Sequence, residues 1–231
     1  MVFVPLPSVD APIAIQTLDD DVRAIRKAIK GATSRNQDVI VFCQSYSGIP
    51  SSQAVENLGK GGKDTVGKGG VVLLFYCTAF VLSLNVSLLD GLGGSDPPWT
   101  RIEVGSKTPF AKWGMKLTSY LKGDHLFPVG PEQLFYNDLS ESQQSIWASC
   151  LRSFSRPMIT QPLKYAGYKD IPCAYLFCSK DQAIPLEIQQ GMVKGSGVDM
   201  YTETLDASHS PFLSQPKATA DVMRRAAEEK I

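Results

Sequence analysis

The sequence predicts an α/β fold with a mainly parallel sheet flanked by helices. Short runs of β-branched and aromatic residues recur at positions 2–4, 39–43, 71–76, 174–178 and 200–205, and helical patterns separate them. Most of the runs are continuously apolar rather than alternating, as in strands covered on both faces.

The elements follow in chain order. After the first run, Thr17 and Asp20 form a capping box, Leu18, Val22, Ile25 and Ile29 share one helical face, and Gly31 is expected to close the helix. The second run leads into Ser45, and a helix begins near Pro50 and continues through Val55 and Leu58. The glycine- and lysine-rich residues 59–70 read as a loop without the spacing of a phosphate-binding motif. Residues 97–168 break the rhythm with Trp99, Phe110, Trp113, Tyr120, Phe127, Phe135, Tyr136, Trp147 and Phe154. There Ser140 and Gln143 form a second capping box, opening a helix through Ile146, Trp147 and Leu151. This segment is read as a helical cap inserted into a core made of residues 1–96 and 169–231, with a plain pair of crossover helices as the alternative. Pro185 and Pro216 suit the first turns of two further helices, the first burying Ile188 and Met192, the second Val222 and Ala226.

Composition narrows the function classes. At 231 residues and 43% hydrophobic, the chain can bury one sizeable core. Lys plus Arg and Asp plus Glu are both 23, which gives no reason to expect nucleic acid or an anionic membrane as partner and little resistance to self-association. No stretch has the length and apolarity of a membrane span, and the first residues lack the basic and apolar regions of a signal peptide, so a cytoplasmic location is expected. The five cysteines (Cys43, Cys77, Cys150, Cys173 and Cys178) lie mostly in apolar runs and read as small buried hydrophobes rather than a disulfide framework. With two histidines and no zinc-ligand spacing, no metal or other cofactor is expected.

Three strand ends carry the candidate chemistry. Residues 39–43 run straight into Ser45 at a sharp strand-to-helix turn, a nucleophile elbow that lifts the hydroxyl above the sheet. The run at 174–178 delivers Asp181, and the run at 200–205 delivers His209. Taken singly, Ser45 could sit in a plain serine-rich turn, Asp181 could cap a helix, and His209 could bond to backbone. Serine, acid and histidine at successive strand ends instead match the chain order of a catalytic triad. Histidine would take the serine proton, and the carboxylate would fix its tautomer. His125 reads as a surface or satisfied loop histidine rather than a substrate ligand.

The residues at 43–48, 181–185 and 209–213 resemble those of compact α/β-hydrolases of the esterase and hydroxynitrile-lyase type. The likeness is to microbial, especially fungal, members with a His-Ser-Tyr-Gly-Gly elbow and an Asp-Gln-Ala-Ile-Pro acid loop. Gln44 stands where those proteins have histidine, and Ser47 where they have glycine. The resemblance implies a first strand, an oxyanion loop and a helix ahead of a strand resembling residues 2–7, and on that reading the sequence is expected to lack them. It also implies that the Tyr46 N–H is one of two oxyanion donors. Losing one such donor costs about 2.7–4 kcal/mol.

The expected function is an enzyme acting on a small apolar carbonyl compound such as an ester, lactone or thioester. Ser45 would be nucleophile, His209 base and Asp181 orienter, with Gln44, Tyr46, Trp113, Tyr136 and Phe212 contacting substrate. The alternatives are a lyase, decarboxylase or cyclase that uses the same residues for proton transfer, or a degenerate ligand-binding protein. Two repairs of the open sheet are expected. Residues 2–4 could slide inward against 39–43, bringing the Ser8 and Val9 N–H groups near Ser45, or a second copy of the chain could cover the bare side as a homodimer.

Overall fold

The computed structural model describes residues 1–104 and 124–228. In chain order the elements are α1 (Asp19–Thr33), β1 (Val39–Gln44), α2 (Gly48–Ala54), β2 (Val71–Cys77), α3 (Leu88–Gly91), β3 (Thr100–Val104), β4 (Asp124–Pro128), α4 (Pro131–Tyr136), α5 (Glu141–Ser149), β5 (Phe154–Ser155), α6 (Pro157–Thr160), β6 (Cys173–Cys178), α7 (Leu186–Ser196), β7 (Tyr201–Leu205), α8 (Pro211–Ser214) and α9 (Pro216–Glu228). A four-stranded sheet has the order β1-β2-β6-β7 with every neighbouring pair parallel.

Side-chain alternation along β2 explains why its apolar run is unbroken. Leu74 and Tyr76 face one side, where they join Val22, Ile25 and Ile29 of α1 and Ala54 of α2. Leu73, Phe75 and Cys77 face the other and meet Val222 and Ala226 of α9. Both faces are covered by helices, so alternating polar residues would be left buried and unpaired. Edge strand β1 is covered less evenly. Val41 and Cys43 are buried against α1 and α2, while Ile40 and Phe42 on the α9 side remain 37% and 40% exposed.

Three expectations need correction here. Residues 2–4 form no strand, and Val2 and Phe3 are exposed; the segment is three residues long and followed by Pro5 and Pro7, which have no N–H to donate to a ladder. The α1 helix passes through Gly31 to Thr33, because Thr33 continues the buried face one turn beyond Ile29. In α7 the buried residues are Gln189 and Ser196 rather than Ile188, which is 50% exposed.

The segment expected to be a helical cap is mixed. Its described residues hold an antiparallel sheet in the order β3-β4-β5 together with α4, α5 and α6. The α5 helix opens on the Ser140–Gln143 capping box as expected, yet it stops at Ser149 and leaves Ile146 and Trp147 exposed. The N-terminal segment packs on this sheet: Val9 bridges Phe154, Ser155 N–H donates to the Ser8 carbonyl at 2.9 Å, and Asp10 N–H donates to Ser153. Among the described residues, no helix is long and apolar enough to cross a membrane.

Candidate active site

Ser45 follows β1 directly and has φ of 55°, a left-handed conformation that a residue with a Cβ adopts only when its surroundings hold it there. Three restraints are visible. The Ser45 carbonyl accepts the Phe80 N–H at 3.1 Å. The Ser47 hydroxyl accepts the Gln44 N–H at 2.7 Å and donates to the Gln44 carbonyl at 2.8 Å, so the serine that replaces glycine stitches the turn. Gly48 lets α2 approach the loop after β2, since a Cβ there would lie 2.4 Å from the Phe80 carbonyl oxygen.

Asp181 follows β6 and His209 follows β7, and the two are buried together. His209 Nδ1 lies 2.8 Å from Asp181 Oδ2. The other carboxylate oxygen accepts the Ala183 and Ile184 N–H groups at 2.8 and 3.0 Å. Gln189 completes the shell, donating Nε2 to Asp181 Oδ2 at 3.3 Å and accepting the Cys178 N–H at 3.1 Å. A buried carboxylate bonded in this way can hold an imidazole in one orientation.

The His209 main chain is held from below. Its carbonyl accepts Thr78 Oγ1 at 2.9 Å and Gln44 Nε2 at 3.2 Å. Thr78, at the end of β2, is fully buried and itself has φ of 44°. The Phe135 ring packs on the imidazole with a centroid separation of 5.2 Å.

Ser45 and Tyr46 open onto a cavity of about 180 Å³ whose walls include Phe80, Trp99, Leu126, Phe135, Phe154 and Ile159. The lining is largely apolar, with Arg152 among its few polar groups. It therefore suits a small hydrophobic molecule.

The structure brings Ser45 and Tyr46 to this cavity, and pairs Asp181 with His209. It places other expected contact residues elsewhere. Tyr136 is buried edge-on against Phe135, and it is Phe135, one residue and roughly 100° earlier on α4, that faces the cavity. Phe212 lies edge-on against Phe42 by the sheet edge, and the Gln44 amide is spent on His209. Trp113 lies outside the described residues. His125 is fully buried in β4, with Nε2 2.9 Å from the Ala11 carbonyl oxygen, so it is satisfied rather than at the surface.

Ser8 and Val9 do not replace the second oxyanion donor. The Ser8 N–H donates to Asp21, the Val9 N–H to the Leu6 carbonyl and the Asp10 N–H to Ser153. Sequence reasoning passed over Gln189, Thr78 and Asp21, and named Phe135 only among the aromatics of residues 97–168. The cysteines conform to expectation in being free and mostly buried, although Cys150 is exposed. Among the described residues no cluster of His, Cys, Asp or Glu could hold a metal ion.

The sequence profile of the alpha/beta hydrolase family matches residues 4–222. The alpha/beta hydrolase nvfD of Aspergillus novofumigatus is 33% identical over 233 residues, covering 100% of this chain and 86% of that protein. A probable hydrolase of a Phoma species is 27% identical over 220 residues, covering 94% of this chain and 81% of its own. Among solved structures, polyneuridine aldehyde esterase superposes with a TM-score of 0.66 at 16% identity, covering 92% of this chain and 80% of that one. With its elbow, its paired acid and histidine, and a profile match over most of its length, this chain belongs to the alpha/beta hydrolase family.

Proposed function

We propose that this chain is a serine hydrolase acting on a small apolar ester, lactone or thioester. The observation that carries the reading is the buried 2.8 Å contact between His209 Nδ1 and Asp181 Oδ2. With Nδ1 committed to the carboxylate, proton transfer falls to Nε2, which would take the Ser45 proton as the hydroxyl attacks the carbonyl carbon. The Tyr46 N–H, directly after the nucleophile, would stabilise the oxyanion. The hydrolase and esterase names of its relatives agree with this reading.

A second reading has its own support. The Ser8, Val9 and Asp10 N–H groups are all engaged away from the elbow, which favours a proton-transfer reaction that does not need two oxyanion donors. A serine-directed fluorophosphonate separates the two. Hydrolysis requires rapid labelling that maps to Ser45 and loss of turnover in Ser45→Ala. An unlabelled protein whose Ser45→Ala variant keeps its turnover does not use Ser45 as a nucleophile, which supports the non-nucleophilic reading.

Self-association belongs to the same proposal. A second copy would cover Ile40 and Phe42 along the open β1 edge, and light scattering at micromolar concentration should return twice the chain mass. A clean monomer would reject it.

A further inference from the structure

Asp21 is fully buried, and the triad makes no use of it. It sits in the first turn of α1 and gathers groups from two other parts of the chain. Its Oδ1 accepts the Ser8 N–H at 3.0 Å, while Oδ2 accepts the Ser8 hydroxyl at 2.6 Å and the Tyr46 phenol at 2.8 Å. Burying a carboxylate is costly unless several donors meet it, and here three do.

Tyr46 is the residue after the proposed nucleophile, and its ring stands edge-on to Phe154 at 4.5 Å in the cavity wall. Burial first, then the charge of Asp21, holds the Tyr46 hydroxyl well above its ordinary pKa, so it remains a donor. The other end of the network is equally fixed. Ser155 donates both its N–H and its hydroxyl to the Ser8 carbonyl, tying Ser8 to β5.

We propose that Asp21 is a positioning residue for the elbow. By anchoring the Tyr46 phenol it fixes the 45–46 peptide, whose N–H meets the oxyanion, and it sets the angle of the aromatic wall beside Ser45. The physical need is plain: Ser45 is held at a strained φ of 55°, and such a conformation persists only where neighbouring groups over-determine it. An unanchored tyrosine with a buried, unpaired hydroxyl would turn to find a partner and take its backbone with it. The inference rests on reading Ser45 as the nucleophile.

The test is the rate at which a fluorophosphonate labels Ser45, read beside melting temperature in Tyr46→Phe, Asp21→Asn and Asp21→Ala. Tyr46→Phe removes one hydroxyl and keeps the ring and the N–H. It should label about tenfold more slowly or worse, since small misplacements at a reacting centre carry costs of that order. On a turned-over ester the same variant should lose kcat with little change in KM. Asp21→Asn can still accept from Ser8 and should recover part of the rate that Asp21→Ala loses. If Asp21→Ala does not fold, the other two variants decide. Labelling at the unmodified rate in both Tyr46→Phe and Asp21→Asn overturns this inference and leaves the nucleophile standing. An unmodified protein that never labels overturns both.

Discussion

Thr78 Oγ1 lies 2.9 Å from the main-chain carbonyl oxygen of His209 and 2.7 Å from that of Cys77, so one hydroxyl proton shared between them bridges the end of β2 to the histidine that follows β7. Gln44 Nε2 reaches the same oxygen from the end of β1. Two donors from two strands thus share one acceptor. Thr78→Val keeps the shape but loses one of them, and kcat should fall about tenfold at nearly constant KM through misplacement of the imidazole. Gln44→Ala should behave similarly. Because the donors share a partner, the double variant should depart from additivity, which a double-mutant cycle on kcat would measure.

Gln189 should matter more for stability than any other polar residue on α7. Its amide accepts the Cys178 N–H and donates towards the Cys178 and Ile184 carbonyls and Asp181. Gln189→Leu would leave several buried groups without partners. The expected loss is about 3 kcal/mol or more, read as a shift in the urea midpoint at constant slope.

Phe135 and Tyr136 should separate specificity from stability. Phe135 lines the cavity and packs on His209, whereas Tyr136 is buried behind it. Phe135→Ala should enlarge the site and shift kcat/KM towards longer acyl chains in a series of aryl esters. Tyr136→Ala should lower stability by about 3–5 kcal/mol, as for other large buried aromatics, without reordering that series. The opposite pattern would reassign the two residues.

Thiol chemistry gives a check on burial and pKa together. Burial pushes the Cys43 and Cys77 thiols up to about 12 and raises Cys178 as well. At pH 8 these groups lie far below their raised pKa and are fully protonated, and the protonated thiol is not the nucleophile. Cys150 alone is exposed. Iodoacetamide at pH 8 should therefore add one group to the native protein, at Cys150, and five after denaturation. Intact-mass spectrometry would count them.

Most of the sheet and the three strand ends were legible in the sequence because both depend on local pattern. Runs such as 71–76 and 174–178 can be continuously apolar only where both faces are covered; Ser45 and Asp181 each follow an apolar run, and His209 follows the alternating strand β7. The pairing of Asp181 with His209 followed from their order. The cavity wall did not. Whether Phe135 or Tyr136 faces substrate is a matter of one helical step, and both are aromatic. Aromatic content alone suggested a helical cap, but antiparallel pairing of β3, β4 and β5 depends on partners up to 30 residues apart, as His125 and Ser155 are. The polar supports were hidden for the same reason. Gln44, Thr78 and Asp21 look like ordinary surface-type residues in the chain, and only folding removes their alternative partner, water. The local sequence thus determined where strands end and which reactive groups stand there. The tertiary structure decided which neighbours hold those groups, because a buried polar side chain must bond to whatever the packing brings within about 3 Å.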